Sequence, residues 1–268
     1  MERQRTTIAV TGACGKVGLE MARAVLKTPN LKLIAAVDIK NLGRDIGELA
    51  GVGTNGIMVS ECINIETWDE LDVIIDFTYA KAAFGHIRDA LLHGVSVVSG
   101  TTGLTQMQKD EIYALAKEKQ TGAVIAPNFA IGALLMMRLS QELANWFADA
   151  EIIELHNPYK LDAPSGTAIQ TAELIQDKWR EQNIPLKMEE LPVNPARGDC
   201  KKGISIHSIR LPGLVAHQEV IFGGLGQTIS IRHDSYSRES FVPGVLLAVK
   251  KVVNLSEAIF GLEQLLFS

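Results

Sequence analysis

Short runs of apolar residues alternate with amphipathic segments through the first half of this chain. The runs are rich in valine and isoleucine, and the segments Val17–Lys27, Lys81–His93 and Thr105–Lys119 carry apolar residues at the spacing of a helix. The expected strands are Thr7–Val10, Leu33–Asp38, Asp72–Phe77, Val95–Ser99 and Ala123–Ala126. Strands that are apolar on both faces and alternate with helices form a parallel sheet with helices on both sides. The first half therefore belongs to the α/β class.

The pattern changes near Ala150, where strands begin to follow one another directly. The later strands are Glu151–His156, Ile204–Leu211, Leu214–Phe222 and Gln227–His233. A single long helix is expected from about Gly166 to Gln182 and a final helix over Val242–Val253, while the proline-rich segment Asn183–Lys202 is predicted to be an exposed loop. The sequence thus predicts an α+β domain with a mixed sheet over residues 130–239. Residues 1–129 form the first domain, which residues 240–268 complete.

The composition limits the partners and the compartment. Of the 268 residues, 47% are hydrophobic and 21% are charged, as in ordinary globular proteins, and the formal net charge is -5. An acidic chain lacks the basic surface that nucleic acids and anionic membranes attract, so neither is an expected partner. Cys14, Cys62 and Cys200 have neither metal-ligand nor disulfide spacing. With no secretion signal and no apolar run of membrane-spanning length, we expect a cytoplasmic protein without a metal.

A glycine-rich turn joins the first strand to the first helix. It reads Gly12-Ala13-Cys14-Gly15-Lys16-Val17-Gly18, and Asp38 ends the second strand about 20 residues later. Glycines let the backbone approach a pyrophosphate, the helix N-terminus supplies N–H donors, and the carboxylate accepts from ribose hydroxyls. Such a turn is a weak indication alone. Together with the strand, the helix and the acid, it predicts a Rossmann-type domain in which Gly12, Ala13, Cys14, Gly15, Lys16, Val17 and Asp38 bind a dinucleotide.

Two further strand ends lie at the same edge of the predicted sheet. Gly100-Thr101-Thr102 follows one strand, and Ala126-Pro127-Asn128-Phe129 follows another. Ligands of open α/β sheets bind outside the carboxyl ends of the strands, so these residues are candidates for contact with the nicotinamide and its ribose. Each residue taken singly is more often an ordinary loop residue, and only their shared position makes them candidates.

The segment Glu154–Ala168 changes abruptly from an apolar strand to a polar loop and then to a helix. His156 and Lys160 flank the loop. Both side chains can donate a proton, and both precede the helix start by only a few residues. An ordinary solvated loop is the alternative, since it explains most isolated pairs of histidine and lysine.

The start of that helix is the reason to prefer a functional interpretation. Pro164-Ser165-Gly166-Thr167 opens the helix, with proline near the first helical position and Asp162 or Ser165 available as its cap. The unpaired N–H groups of a helix start form an anion site, and Gly166 lets a ligand approach. Two proton donors are thus expected beside a site for a carboxylate or a phosphate.

Matching segments along nearly the whole chain carry a resemblance to one family. They are Gly12–Gly18, Asp76–Thr78, Gly100–Gly103, Ala126–Phe129, Glu154–Ala168 and Arg210–Val220. The chain resembles the 4-hydroxy-tetrahydrodipicolinate reductases, or dihydrodipicolinate reductases, of the diaminopimelate route to lysine, and Asp162–Ala168 is the most specific segment. The resemblance implies reduction of a cyclic imine with two carboxylates by NADH or NADPH, with loss of water. It also implies a homotetramer built through the second domain.

The resemblance also implies roles for individual residues. In the family, the residue that matches His156 takes part in proton transfer, and the one that matches Lys160 is the proton donor. The backbone amides that match Gly166 and Thr167 hold a carboxylate of the substrate. The residues by themselves indicate an anion site and two donors, and the resemblance adds that the anion belongs to a small dicarboxylate.

One position departs from the family pattern. The family usually has two adjacent histidines, and the second, which contacts the substrate, is Asn157 here. Asparagine keeps a donor but carries no charge, and a charge-assisted hydrogen bond contributes about 1.5–3 kcal/mol against about 0.5–1.5 for a neutral one. We therefore expect Asn157 to bind the substrate with about fivefold lower affinity. The alternative is a nucleotide-binding paralogue with reduced or lost activity, against which the intact His156 and Lys160 argue.

The choice between the two nicotinamide cofactors depends on the end of the second strand. Asp38 accepts from both ribose hydroxyls of NADH and repels a 2′-phosphate. The family commonly has an arginine next, but here the next residue is Ile39, and Lys40 offers only a point charge. We expect both cofactors to be used, with a preference for NADH.

Overall fold

The computed structural model describes residues 5–184, 195–201 and 203–267. The chain divides into two compact units, one formed by Met1–Phe129 with Arg238–Ser268 and the other by Ala130–Ser237. The helices are α1 (Gly18–Lys27), α2 (Ile46–Leu49), α3 (Ile65–Trp68), α4 (Ala80–Leu92), α5 (Gln106–Lys119), α6 (Ile131–Leu143), α7 (Gly166–Glu181), α8 (Val242–Val252) and α9 (Glu263–Leu266). The strands are β1 (Thr6–Thr11), β2 (Leu31–Val37), β3 (Val59–Ser60), β4 (Val73–Asp76), β5 (Ser96–Ser99), β6 (Ala123–Ile125), β7 (Asp149–His156), β8 (Asp199–Lys201), β9 (Ile204–Arg210), β10 (Ala216–Gly224), β11 (Gln227–Ser235) and β12 (Ala258–Phe260).

The first unit is built on a seven-stranded sheet in the order β12-β6-β5-β4-β1-β2-β3. All of its strand pairs are parallel. The five strands expected from the sequence are present, and the α/β class with a Rossmann-type sheet is confirmed. The edge strands β3 and β12 were not predicted, because two or three residues are too few to show a periodic pattern. A parallel arrangement brings the carboxyl ends of all the strands to one edge.

Helices cover this sheet on both faces. On one face, α4 and α5 pack against each other, and their buried residues Ile87, Leu91 and Ile112 share a core cluster with Ile74 and Val97 of the sheet. On the other side, α1 and α8 pack together and against neighbouring strands. Both faces of β4 and β5 are consequently buried, which explains why their sequences are continuously apolar.

The second unit contains a five-stranded mixed sheet in the order β11-β10-β7-β9-β8. The central pair β7 and β9 is parallel, whereas β10 pairs antiparallel with both β7 and β11. This confirms the α+β unit with a mixed sheet. Each of the four strands expected from the sequence is present, with ends shifted by one or two residues.

Two helices, α6 and α7, pack on each other and on this sheet, where the sequence predicted a single long one. The helix α6 was missed because its apolar residues run in succession. Leu135 and Leu139 remain exposed while Met136 and Met137 are buried, so the helical period is weak. The buried Trp179 of α7 donates from Nε1 to the carbonyl oxygen of Phe147 at 2.7 Å, which fixes α7 beside the start of β7.

The predicted loop Asn183–Lys202 needs a correction. Residues Asp199–Lys201 form β8, which pairs antiparallel with β9, and Pro195–Arg197 form a 3-10 turn. Three residues carry no detectable strand pattern, and pairing with the buried β9 decides their conformation. Residues 185–194 and 202 lie outside the described part of the chain. Within the described ranges, none of the helices has the length and the apolar character needed to cross a bilayer.

Candidate functional site

The glycine-rich turn connects β1 to α1 in a geometry that only glycine allows. Gly12 has a φ of +72°, and a Cβ at this position would lie 2.6 Å from the carbonyl oxygen of Phe77. A Cβ at Gly18 would lie 1.9 Å from the carbonyl oxygen of Gly12. The helix α1 begins without a side-chain cap at Val17, so its first N–H groups face no capping side chain. These features fit a pyrophosphate seated on the helix start.

Asp38 is attached to that turn by two main-chain hydrogen bonds. Its Oδ2 accepts from the N–H of Cys14 at 2.9 Å, and its Oδ1 accepts from the N–H of Lys40 at 2.9 Å. The carboxylate is therefore fixed at the end of β2 beside the glycine-rich turn, and each oxygen keeps a lone pair for a ribose hydroxyl. Ile39 and Lys40 are exposed next to it. The donor and acceptor set fits the ribose of a dinucleotide.

Asp76, at the carboxyl end of β4, organises the centre of this edge. Its Oδ1 accepts from the hydroxyls of Thr11 and Thr78, both at 2.8 Å, and lies 3.0 Å from Nδ1 of His86. Its Oδ2 accepts from the hydroxyls of Ser99 at 3.0 Å and Thr101 at 2.8 Å. The side chain is fully buried, and burial alone raises the pKa of a carboxyl. The hydrogen bonds, led by that of His86, outweigh burial and hold the pKa of Asp76 below its usual value.

Asp76 thereby positions the loop predicted to contact the nicotinamide. Its main-chain oxygen accepts from the N–H of Gly100 at 2.9 Å, while its side chain holds Thr101. A Cβ at Gly100 would lie 2.1 Å from the ring of Phe77, so glycine is required by packing there. The sequence placed Asp76 at a strand end but did not single it out. A lone polar residue that closes an otherwise apolar strand was the available signal.

Ala126, Pro127, Asn128 and Phe129 follow β6 at the same edge, as predicted from the sequence. The N–H of Ala126 donates to the carbonyl oxygen of Ser99 at 3.0 Å. The Phe129 side chain is buried, with its ring centroid 5.9 Å from that of Phe77. Ala13 and Ala126 are likewise buried. The side chains of these three residues therefore pack into the first unit and are not exposed at its surface.

The polar loop of the second unit begins where β7 ends at His156. The N–H of Lys160 donates to the carbonyl oxygen of Asn157 at 3.2 Å, and the N–H of Tyr159 donates to Oδ1 of Asn157 at 3.0 Å. Asn157 thus closes the turn with its side-chain oxygen and retains Nδ2 as a free donor group. Lys160 Nζ donates to both carboxylate oxygens of Asp162 at 2.8 Å. This hydrogen bond is the main cause that lowers the pKa of Asp162.

The helix α7 starts at Gly166, with Ser165 as its cap. The hydroxyl of Ser165 accepts from the N–H of Ala168 at 3.3 Å. Of the two predicted caps Ser165 is the one used, and Pro164 precedes the cap instead of occupying the first helical position. A Cβ at Gly166 would meet no atom within 4 Å, so the space before the helix is open. The N–H groups of Gly166 and Thr167 belong to the first turn of the helix, so they have no acceptor within it and can bind an anion.

The sequence missed a buried carboxylate beneath this loop, that of Glu154. Its Oε2 lies 2.5 Å from Nδ1 of His156 and accepts from Nη1 of Arg210 at 2.9 Å, while its Oε1 accepts from Nη2 of Arg210 at 2.7 Å. Oε1 also accepts from the N–H of Ser165 at 3.3 Å. Burial opposes ionisation, but the hydrogen bonds of His156, Arg210 and Ser208 lower the pKa of Glu154 to about 2.

Strand register explains this cluster. Glu154 and His156 are separated by two residues on β7 and therefore share a face. Across the parallel pair, Glu154 lies opposite Ser208 and His156 lies opposite Arg210. Period two was a usable signal for Glu154. Arg210 could not be assigned in this way, because the sequence does not reveal the register of β7 against β9.

No group of three or more histidine, cysteine or acidic side chains in the described residues is arranged to hold a metal ion. The polar side chains at the two sites offer hydrogen bonding, charge and proton transfer. One unit presents a dinucleotide-type edge, and the other presents two proton donors beside a capped helix start.

Comparison with known proteins connects both units to one family. The family model described as "Dihydrodipicolinate reductase, N-terminus" matches residues 6–129, and the model "Dihydrodipicolinate reductase, C-terminus" matches residues 132–266. The 4-hydroxy-tetrahydrodipicolinate reductase of Moorella thermoacetica is 48% identical over 260 residues, with 97% of each chain covered. The enzyme of the same name from Carboxydothermus hydrogenoformans is 47% identical over 261 residues, which cover 97% of this chain and 99% of that one.

Solved structures agree with this assignment. The dipicolinate-bound dihydrodipicolinate reductase from Paenisporosarcina sp. TG-14 superimposes with a TM-score of 0.82 at 39% identity, covering 97% of this chain and 99% of that chain. An amine dehydrogenase from Mycobacterium smegmatis shares only the fold, with a TM-score of 0.61 at 12% identity and 92% of each chain covered. Since both family models and full-length relatives match, this chain belongs to the dihydrodipicolinate reductase family.

Proposed function

We propose that the protein reduces 4-hydroxy-tetrahydrodipicolinate to tetrahydrodipicolinate at the expense of NADH or NADPH, with loss of water, in the biosynthesis of diaminopimelate and lysine. The capped start of α7 is the main observation behind this proposal. It follows the two proton donors His156 and Lys160 closely in sequence, and it leaves two N–H groups for a carboxylate. Reductases of that name that are 47–48% identical over 97% of this chain support the same activity.

The first unit provides the groups for the cofactor. We assign the pyrophosphate to the turn Gly12–Val17, the adenosine ribose to Asp38, and the nicotinamide end to Gly100–Thr102 and Ala126–Phe129. When bound, NAD(P)H supplies the hydride. The uncapped start of α1, the two fixed oxygens of Asp38 and the close-packed glycine turn support this assignment.

The second unit provides the groups for the substrate. The N–H groups of Gly166 and Thr167 bind one carboxylate, and Nδ2 of Asn157 donates a further hydrogen bond. The reduction consumes one proton in addition to the hydride, and Lys160 delivers it from its ammonium group. His156 transfers a proton through Nε2, since its Nδ1 is bonded to Glu154.

Lys160 must leave Asp162 before it can act. In the described structure both oxygens of Asp162 accept from Nζ, and the side chain of Asp162 is exposed. An exposed ion pair contributes only about 0–1 kcal/mol, so a substrate carboxylate can replace Asp162 at little cost. Until then, Asp162 holds the side chain of Lys160 in place.

The open face of the mixed sheet supports a homotetramer formed through the second unit. Ile153, Leu155, Ile209 and Ile221 are half-buried on the face opposite to the one that carries Glu154 and Gln218. Gln218 donates to Thr171 of α7, so α7 covers the other face. We propose that second copies of the chain cover Ile153 and its neighbours. A mass in solution equal to that of one chain would contradict this proposal.

We place the reaction in the cytoplasm. Cys14 and Cys62 are free thiols, as expected of a chain that folds in a reducing compartment.

A coupled assay tests the activity. The cyclic substrate is formed in place from pyruvate and aspartate semialdehyde by a separate synthase, and oxidation of NADH is followed by absorbance. We expect NADH to be consumed only when the synthase and both of its substrates are present. If the complete mixture leaves NADH unchanged while the purified protein still binds NADH, the proposed substrate is wrong.

A further inference from the structure

The buried carboxylate of Glu154 connects two parts of the site that have separate tasks. Its Oε2 holds the ring of His156, and its Oε1 accepts from the N–H of Ser165, the cap of α7. A single side chain therefore joins the proton-transfer residue to the helix start that receives the anion. Both contacts are hydrogen bonds to the same carboxylate, so they differ from the apolar packing that holds the rest of the unit.

We propose that Glu154, held by Arg210, is the positioning residue that orients His156 and fixes the start of α7 relative to it. This inference rests on the function proposed above and concerns the same site. Glu154 does not touch the reacting atoms. Glu154 acts through His156, because its carboxylate accepts a hydrogen bond from the Nδ1–H group of the ring. Nε2 is then the ring nitrogen that remains to exchange a proton. Within the described residues, Nε2 of His156 makes no hydrogen bond.

Arg210 makes this arrangement possible. Its guanidinium binds both oxygens of Glu154, and Nη2 also donates to the carbonyl oxygen of Asp162 at 2.8 Å. The same side chain thus neutralises the buried charge and ties the Lys160–Asp162 segment to β9. The Glu154 side chain has 0% exposure and that of Arg210 has 18%. Bidentate geometry of this kind restrains both the distance and the plane of the two groups.

Stability alone is a poor explanation for the pair. A buried ion pair is often no more stabilising than apolar side chains of the same volume, because both charges lose their hydration. Glu154 accepts from five donors, which belong to His156, the cap of α7 and two residues of β9. This arrangement is better explained by the need to hold these elements in one geometry. Loss of about 1 Å of precision at a reacting group can cost 10²-fold in rate.

A double-mutant cycle tests the inference. Glu154→Gln keeps the shape and removes the charge. We expect kcat to fall by about tenfold or more, while the Kd for NADH, measured by fluorescence without substrate, stays unchanged. In a protein that already carries His156→Ala, the same Glu154→Gln change should leave kcat nearly unchanged because the ring is missing, while KM for the substrate still rises because the bond to Ser165 is weakened. Equal fold-losses of kcat in both backgrounds would overturn the inference. They would show that Glu154→Gln lowers kcat independently of His156, as a general structural defect does.

Glu151→Gln is the matched control. Glu151 lies on the same strand, its side chain accepts from Nε2 of His207 at 2.9 Å, and its face of the sheet is opposite to that of Glu154. The substitution breaks a second pair of glutamate and histidine without touching the polar loop, so kcat should not change in variant protein whose mass in solution equals that of the unchanged protein. A loss of kcat as large as that of Glu154→Gln would contradict the inference.

A spectroscopic measurement separates this inference from the proposed function. In protein with ¹⁵N-labelled histidine, the His156 signal is assigned by its absence in His156→Ala. We expect the neutral ring to carry its proton on Nδ1, which faces Glu154, and to leave Nε2 without one. A neutral ring with its proton on Nε2 would overturn the orientation. Protonated Nδ1 in a protein that fails to oxidise NADH with the cyclic substrate would support the orientation and contradict the proposed function.

Discussion

At the scale of single residues, the polar loop assigns different tasks to neighbouring side chains. Asn157 uses its Oδ1 to close the turn, and Lys160 is held by Asp162. The asparagine that departs from the family pattern therefore has a local structural use, since its side chain closes the turn. In the proposed function, Nδ2 of Asn157 is the atom that contacts the substrate.

Lys160→Ala tests the proton donor. We expect kcat to fall by about 10²–10⁴-fold with a smaller change of KM, because an ammonium that delivers a proton acts mainly in the transition state. Lys178→Ala is the control, since Lys178 on α7 pairs with the exposed Glu181 at 2.7 Å. Steady-state kinetics at saturating NADH measure both variants. A Lys160→Ala protein that keeps most of its kcat would show that another group donates the proton.

Asp38 provides a second test at this scale. Its two oxygens are fixed by the N–H groups of Cys14 and Lys40, so the carboxylate cannot turn away from a 2′-phosphate. We expect kcat/KM to be higher for NADH than for NADPH, and Asp38→Asn to reduce this ratio because the repulsion of the phosphate is removed. The measurement is kcat/KM for both cofactors at physiological ionic strength. A higher value for NADPH in the unchanged protein would contradict the expectation.

At the scale of elements, α7 matters more for its first turn than for its length. The helix packs on the sheet through buried residues such as Ala172, Ile175 and Trp179, which any amphipathic helix could supply. Its first turn differs, since Ser165 both caps the helix with its hydroxyl and donates its N–H to Glu154. Cap and carboxylate together place the N–H groups that we propose bind the substrate.

Ser165→Ala separates stability from binding. Loss of the cap should lower the free energy of unfolding by about 1 kcal/mol and raise KM for the substrate, because the first turn frays where the carboxylate binds. Thr105→Ala is the matched control. Thr105 caps α5 in a reciprocal capping box with Gln108, so a similar loss of stability is expected without a change of that KM. Denaturant unfolding and steady-state kinetics are the two measurements. Equal KM values for both variants would show that the α7 start does not hold the substrate.

At the scale of the whole molecule, each unit is centred on one buried carboxylate. Asp76 collects donors from β1, β5 and α4 in the first unit, and Glu154 collects donors from β7, β9 and the α7 start in the second. Both have a lowered pKa. A carboxyl whose pKa is lower in the folded protein stabilises the fold above its unfolded pKa, and this contribution is lost as the pH falls through the folded value.

Acid unfolding tests the pH-dependent stabilisation of the fold by the Glu154 carboxylate. Its pKa is about 2 in the folded protein, against about 4.3 in an unfolded chain. Its contribution is therefore complete above about pH 4.3 and disappears as the pH falls towards about 2. We expect the free energy of unfolding to fall over this range, and to fall less steeply in Glu154→Gln. Urea unfolding followed by circular dichroism at several pH values measures the slope. Identical slopes for the two proteins would contradict the assignment.

What the sequence by itself determined was the local chemistry. The glycines of the first turn, the apolar strands, the cap at Ser165 and the donors His156 and Lys160 follow from backbone conformation and residue type, which are properties of short segments. The short strands β3, β8 and β12 and the helix α6 did not follow, because their patterns are too brief or too uniformly apolar. Only the tertiary structure decided that Arg210 binds Glu154 across 56 positions and that Thr11 binds Asp76 across 65. Both contacts depend on which strands pair and in which register, and pairing is set by the burial of whole faces, which no short segment of the sequence contains.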